Sequence, residues 1–587
     1  MCGIIAYQGF RDAREIVLEG LKRLEYRGYD SWGIATVHEE KLALFKKVGK
    51  IGDAKVSDLN IPVTHLGLGH TRWATHGGVT EINAHPHLSA NGKIAIIHNG
   101  IVENYQELKA FLIGKGYEFS TQTDTETIPI LIQHFMDSGL DFEAAFKQML
   151  LKIEGSYAIV GICLGSDKII GARKGSPLVA GLGDGEIFIA SDIPAFLEYT
   201  NKVFYLEDNE MVVAGKGFSF MSTPDFKPLE KKPTIISWSL EQAKLGDYEH
   251  FMLKEIFEQR FTIHRAIEQD PALIARVAGQ INDAYGVFFV GCGTSYHSCV
   301  SAAYEFSELA HKHVNVVLAS EFRNYRDFLT EKTLMICVSQ SGETADLLDA
   351  VKFAKEKNVR IISIVNVMGS TLTRLSHETI MMNSGPEICV LSTKSYTSQL
   401  AILLLLAYAV AGRTNEGKDL IAAAASRVND VLAGNHEPVK KLAKQFSGAH
   451  DLFLLGRDLA YPSALEGALK IKEVSYIHAE GFAGGELKHG TIALIEPGVP
   501  VIVLTTQNTR QLIISNAMEV KARGGFIIGV NHEQNQVYDA WLKVPSAGPA
   551  DPILMIIPLQ LLAYYLAVER RLDPDKPRNL AKSVTVK

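Results

Sequence analysis

Val287-Phe288-Phe289-Val290-Gly291 is an apolar run closed by glycine, and it recurs 165 positions later as Leu452-Phe453-Leu454-Leu455-Gly456. The same offset pairs residues 336–338 with 501–503, and Ile361-Ile362-Ser363-Ile364-Val365-Asn366 with Phe526-Ile527-Ile528-Gly529-Val530-Asn531. Three landmarks at one spacing read as two copies of one unit. In each copy fully apolar runs alternate with helical stretches, 298–310 and 345–357 in the first. Strands without a polar face need cover on both sides, so each copy is expected to be an α/β doubly wound domain on a parallel sheet.

Residues 1–238 have a different texture. Short β-type runs (2–7, 66–70, 93–98, 156–163, 186–190) are punctuated by glycine and interrupted by amphipathic helical stretches at 12–25 and 104–115, which predicts a layered α+β domain. A Pro- and Lys-containing stretch at 226–233 and the charged segment 239–258 mark the boundary. The expected organisation is a first domain at 1–238, a linker and lead-in helix at 239–283, repeats at 284–430 and 431–575, and a tail at 576–587.

The 587 residues, 47% hydrophobic, with 59 basic against 66 acidic side chains and a net charge of −7, exclude collagen-like, disordered and disulfide-scaffold classes. They carry no general electrostatic footprint for nucleic acid or an anionic membrane. Six scattered cysteines (Cys2, Cys163, Cys292, Cys299, Cys337, Cys389) form no CxxC pair, so a reduced, cytoplasmic chain without a metal site is expected. The longest apolar segments, 401–412 and 553–568, fall short of the ~18 residues of a membrane span and predict buried helices, the second interrupted by Pro558 and Gln560. No cationic leader precedes the first apolar run.

Cys2 follows the initiator Met, whose removal would leave a nucleophilic thiol and a basic α-amine on one residue, with ordinary pKa values near ~8.5 and ~7.7–8.0. Alone it reads more simply as a cysteine that starts an edge strand. Thr71-Arg72-Trp73-Ala74-Thr75-His76-Gly77-Gly78 reads as a strand-end loop whose Arg72 suits a carboxylate, and His98-Asn99-Gly100, again at a strand end, offers an amide N–H and a backbone N–H for an oxyanion. Thr123-Asp124-Thr125-Glu126 offers Asp124 for an ammonium group. Each is also a common turn or helix cap. Together they supply what hydrolysis of a glutamine amide requires.

In the first repeat, Ser339-Gln340-Ser341-Gly342-Glu343-Thr344 and Gly291-Cys292-Gly293-Thr294-Ser295 each link a strand to a helix. They aim helix amides and hydroxyls at one point, a phosphate site or a pair of Gly/Ser-rich turns. No GxxxxGK[ST] loop points to ATP. In the second repeat Glu466, Lys470 and Glu473 share a helix face, with His489 downstream in Gly485-Glu486-Leu487-Lys488-His489-Gly490. A solvated charge ladder and a proton-moving site for sugar isomerisation both fit this row. By composition Lys582, in the C-terminal tail, is a solvated lysine.

The N-terminal stretches, with Leu24-Glu25-Tyr26-Arg27-Gly28-Tyr29-Asp30 and Ala84-His85-Pro86-His87, resemble the αββα glutaminase domain of N-terminal-nucleophile amidotransferases. That class includes glutamine phosphoribosyl-pyrophosphate amidotransferase and asparagine synthetase. End to end, the chain resembles the isomerising glutamine:fructose-6-phosphate aminotransferases. Its stretches 292–295, 319–323, 339–346, 392–394, 464–470, 475–480, 485–490 and 577–586 match the sugar-isomerase (SIS) part.

The resemblance implies amide transfer from L-glutamine to fructose 6-phosphate, isomerisation to glucosamine 6-phosphate as the first step of amino-sugar synthesis, no cofactor, and a homodimer. It implies Cys2 as nucleophile, Asn99 and Gly100 as oxyanion donors, and Arg72, Thr75, His76 and Asp124 on glutamine. Trp73 would gate a sheltered ammonia passage. Ser295, Ser339, Gln340, Ser341 and Thr344 would hold the phosphate and Ser392 the sugar. Lys582 would form a Schiff base, Glu473 would move the C1–C2 proton, and His489 would open the ring, with Lys470 and Glu466 in support. Trp32, Arg260 and Thr491 depart from the family's usual Ala, Pro and Pro, and Trp32 adds bulk near the glutaminase loops. The long insertion of animal and fungal members is absent, so feedback by a nucleotide sugar is not implied. A regulatory protein that only senses sugar phosphates, and an enzyme acting on another phosphosugar, remain the alternatives.

Overall fold

The computed structural model describes residues 2–73, 77–236 and 245–585. The chain divides into two compact units, Met1–Ala243 with Ala581–Lys587, and Lys244–Leu580.

The first unit is a sandwich of two mainly antiparallel sheets. One has eight strands, with Gly3–Gln8 and Leu66–Arg72 paired at its centre, and the other has seven, with Ile94–Val102 paired to Gly155–Cys163. Alternation along the strands builds the layers. Ile4, Ala6 and Leu68 of one sheet and Ala95, Ile97, Ala158 and Val160 of the other share one buried core. Ile94, Ile96 and Ile159 point the opposite way, into a second core with the helices Thr127–Asp137 and Phe142–Leu150. The helix Ala13–Leu24, capped by Asp12, covers the outer face of the first sheet, where a Cβ on Gly69 would lie 2.5 Å from Val17. The order of layers is α-β-β-α, as expected.

The second unit holds the two repeats. The first has five parallel strands in the spatial order Asn315–Leu318, Gly286–Gly291, Thr333–Ser339, Arg360–Val365, Glu378–Met381. The second repeats that topology with His478–Ala483, Asp451–Gly456, Pro500–Leu504, Phe526–Asn531 and Ala540–Lys543. In each, the strand order reverses at the first strand, so a crevice opens outside the carboxyl ends of its first and third strands.

Three segments differ from expectation. The lead-in segment is more than a linker: the helices Phe251–Ile267 and Pro271–Asp283 bury Met252, Ile256, Ile263, Val277 and Ile281 in the core shared by both repeats. The break drawn at 430/431 falls inside one helix, Thr414–Phe446, which continues through Pro438. The helix Asp551–Glu569 runs through Pro558 and Gln560, and with the turn before it is long and apolar enough to cross a membrane by length and composition. Its apolar window is 94% buried within the protein, as a core helix of a globular unit is.

Candidate active sites

In the first unit the strand Gly3–Gln8 brings Cys2 to the end of the strand Leu66–Arg72, where the Gly3 amide donates to Thr71 Oγ1 at 3.0 Å. The Trp73 amide donates to Cys2 Sγ at 3.2 Å, and the thiol reaches the Trp73 carbonyl at 3.5 Å. Burial pushes the thiol above its ordinary pKa, opposed by the Trp73 amide and Arg72. Arg72 lies on the strand rather than in a loop, is buried, and donates to the carbonyls of Gly78 at 3.1 Å and Gly77 at 3.2 Å. Thr75 and His76 lie outside the described residues.

His98, Asn99 and Gly100 sit inside the strand Ile94–Val102, not at its end, and the ladder to Gly155–Cys163 runs through them without a break. Gly100 takes φ +119°, and a Cβ there would stand 2.0 Å from the Ser156 carbonyl oxygen, so only glycine fits. Asn99 Nδ2 donates to the Cys2 carbonyl at 2.8 Å. Its Oδ1 then faces His70 Nε2 at 3.0 Å, which is also 3.1 Å from the His98 carbonyl. Two acceptors at Nε2 place the imidazole proton there by elimination, while Nδ1 has no partner among the described residues. Burial holds His70 down at about 3, so the ring stays neutral and donating. No local pattern singles out His70, a polar residue among strand residues.

Asp124 opens the turn Asp124–Glu126 and accepts from the Val102 amide at 2.8 Å, while Thr125 Oγ1 meets His98 Nδ1 at 2.9 Å. His70 stacks on His85 at 4.1 Å and His85 meets His87 edge-on at 4.7 Å. Burial holds all four imidazoles, with His98, below their ordinary value. Trp32 is buried against Phe45 within its strand, which absorbs the bulk expected at the loops. Arg260 stands over Phe261 on its helix at 4.3 Å, and Thr491 starts a short 3-10 turn.

In the second unit both Ser/Gly loops lie at the crevice of the first repeat. Ser339 ends its strand, its Oγ accepts from the Gly342 amide at 3.0 Å and meets Thr344 Oγ1 at 3.3 Å, and the next helix begins at Ala345. Ser341 Oγ accepts from the Glu343 amide at 3.2 Å. Gly342 takes φ +65°, and a Cβ would stand 2.1 Å from Ser370 Oγ. The other helix starts at Thr294, one turn earlier than expected, which puts Ser295 in its first turn with its Oγ held by Gln399 Nε2 at 3.2 Å. Glu387 accepts from the amides of Thr393 and Ser395, both at 3.0 Å, and so shapes the turn around Ser392. At the equivalent positions the second repeat has Asp458 and Gln507 where the first has Gly293 and Gly342.

The helix Ala460–Ser475 carries the charged row inward: Glu466 and Lys470 are fully buried. Lys470 Nζ lies 2.7 Å from Glu473 and 3.4 Å from Glu466, and donates to Thr294 Oγ1 at 3.1 Å. Burial disfavours its ammonium, but Glu473 and Glu466 outweigh that and raise its pKa. Glu466 also accepts from Thr294 Oγ1 at 3.0 Å and from His297 Nδ1 at 2.8 Å. This is a buried network joining the repeats, not a solvated ladder. His489 ends the turn Gly484–His489, exposed, with no hydrogen bond or ion pair among the described residues. Lys582 belongs with the first unit, in the tail segment Ala581–Lys587. Among the described residues no group of three or more His, Cys, Asp or Glu is placed to hold a metal ion.

Residues 70–198 match the glutamine amidotransferase domain family, and 280–409 and 445–570 match the SIS domain family. The chain is 45% identical over 599 residues to the glutamine–fructose-6-phosphate aminotransferase [isomerizing] of Pyrococcus horikoshii, covering 100% of both chains. It is 44% identical over 613 residues to the protein of that name from Clostridium acetobutylicum, again covering 100% of both. Among solved structures, 57% of this chain matches the whole C-terminal domain of glucosamine-fructose-6-phosphate aminotransferase from Francisella tularensis, with a TM-score of 0.51 and 32% identity.

Proposed function

The chain belongs to the isomerising glutamine–fructose-6-phosphate aminotransferases, and from that premise we propose how its residues divide the work. The reaction transfers the amide nitrogen of L-glutamine to D-fructose 6-phosphate and isomerises the product to D-glucosamine 6-phosphate, releasing L-glutamate.

Cys2, freed of Met1, attacks the glutamine amide carbon through Sγ, its own α-amine taking the thiol proton. The oxyanion that forms is met by the Asn99 amide and the Gly100 N–H. Collapse passes that proton to the leaving nitrogen, ammonia departs, and water hydrolyses the thioester to glutamate. Arg72, Thr75, His76 and Asp124 hold the two ends of glutamine, and Trp73, whose amide touches the sulfur, gates the departing ammonia. The phosphate of the sugar binds at Ser295, Ser339, Gln340, Ser341 and Thr344, and Ser392 contacts the sugar. His489 assists ring opening. Lys582 condenses with the open-chain ketone and loses water, ammonia displaces the lysine, and Glu473 carries the proton from C1 to C2, poised by Lys470 and Glu466. The enzyme works as a cytoplasmic homodimer, binding neither nucleic acid nor membrane. Family likeness and six cysteines that are all thiols support that setting.

The arrangement of Cys2, Trp73 and Asn99 carries this reading. Cys2→Ala is expected to abolish glutamine hydrolysis in the full-length enzyme and leave conversion of the sugar phosphate measurable. Retained glutaminase activity would contradict the nucleophile.

A further inference from the structure

The network that clasps Lys470 contains a residue to which no role has been given. We propose that His297, from the first repeat, is a positioning residue of the isomerising site. Its Nδ1–H holds Glu466 of the second repeat and through it sets how Lys470 is shared with Glu473. The proposal rests on the reading of Glu473 as the proton carrier.

Glu466 is fully buried, and a buried carboxylate is costly unless donors surround it. Its two oxygens are served differently. Oε1 has Thr294 Oγ1 at 3.0 Å and Lys470 Nζ at 3.4 Å. Oε2 has His297 Nδ1 at 2.8 Å. Thr294 has one hydroxyl proton; it donates this to Glu466 and accepts from Lys470 at 3.1 Å, so the network has a direction. His297 and Thr294 both donate to Glu466, while Lys470 donates to Thr294 and forms an ion pair with Glu473. Without the imidazole donor, Oε2 must draw on the same ammonium that Glu473 uses at 2.7 Å. The contest would pull Lys470 toward Glu466 and change the basicity of Glu473.

Position matters as much as chemistry. His297 lies two residues after Ser295 on the helix Thr294–Ala310, so the turn expected to take the phosphate also braces the proton-moving row. The side chain is 15% exposed, which lets its proton exchange with solvent. Among the described residues, the charged and titratable groups near it include Tyr296 on its own helix, Glu466, Lys470, Glu473 and Tyr461 on the helix Ala460–Ser475, and Tyr396 on Lys394–Val410, which feels the Glu466 charge.

The test uses full-length enzyme with His297→Leu, which removes the donor, and His297→Asn, whose amide NH2 keeps a donor. His297→Leu is expected to lower kcat for glucosamine 6-phosphate formation by about ten- to hundredfold and to move its pH profile. KM for fructose 6-phosphate and Cys2-dependent glutamine hydrolysis should stay within about twofold, and His297→Asn should recover most of kcat. Unchanged kcat in His297→Leu, or equal loss in both variants with an unmoved pH profile, would overturn the proposal. NMR of the His297 ring nitrogens, with and without Glu466→Gln, reads the contact without substrate. The expected result is a change in the Nδ1 chemical shift in Glu466→Gln, and an unmoved shift would overturn the contact. If wild-type enzyme makes no amino sugar, the family reading fails instead, and this spectrum still judges the contact.

Discussion

A neutral imidazole at position 70 decides which way the Asn99 amide faces. Replacing His70 by Leu frees Asn99 to rotate, and the expected result is a fall in kcat for glutamine hydrolysis of about a hundredfold with KM for glutamine little changed, as for loss of an oxyanion donor. His70→Gln, which can still donate, should recover part of it; steady-state kinetics of the two variants checks this. The buried histidines also carry a pH signature. Each is held neutral in the fold, so between about 6.5, its unfolded value, and its folded value, the unfolded chain binds more protons and stability falls as pH falls. Each contributes up to about 1.4 kcal/mol per pH unit, so His85→Gln should flatten the acid limb of unfolding measured from pH 6.5 to 4. Cys2, Arg72, Asn99 and Asp124 could be picked out as candidates because they stand in a family pattern. His70 and His297 were not, because a polar residue on a strand or helix reveals its partner only when the neighbouring element is in place. The bulk of Trp32 was legible, but not the inward strand face that absorbs it.

At the scale of elements, apolar runs located the strands well, since a strand buried on both faces announces itself. Ends were less legible. Arg72 was expected in a loop and Asn99 at a strand end because glycine and polar residues follow, yet ladder pairing carries both strands onward. The helix Asp551–Glu569 passes through Pro558 because its surroundings are apolar on every side, so packing outweighs the roughly 3 kcal/mol that an interior proline costs. The helix Thr294–Ala310 carries a cost of its own. Glu305 is buried, among the described residues only Ser301 serves its carboxyl, and burial pushes it up to about 8. A folded pKa above the unfolded value means stability is lost as pH rises from about 4.5 to 8. Glu305→Gln removes that loss, so denaturant unfolding should find the variant more stable than wild type at pH 8, with the gain shrinking by about 1.4 kcal/mol per pH unit on acidification to pH 5.

The molecule as a whole joins an ammonia-producing unit to a duplicated sugar-phosphate unit. The duplication was legible from one offset, and the identical strand order of the two sheets follows from it. The core that the repeats share was not, because it is built from Phe251–Ile267 and Thr414–Phe446, helices with no counterpart in the strand landmarks. Net charge said nothing of an anionic substrate, since in the proposed site two short loops carry its recognition. The tail is tested chemically: borohydride with fructose 6-phosphate should label Lys582, found by peptide mass spectrometry, and label confined to another lysine would refute its role. The central claim is that one chain takes nitrogen from glutamine and delivers it to the sugar. Feeding the enzyme glutamine labelled with 15N in its amide, with fructose 6-phosphate and excess unlabelled ammonium, decides it by mass spectrometry of the product. Glucosamine 6-phosphate carrying 15N, lost in Cys2→Ala, is the expected result; unlabelled amino sugar, or glutamate released with no amino sugar formed, would contradict it.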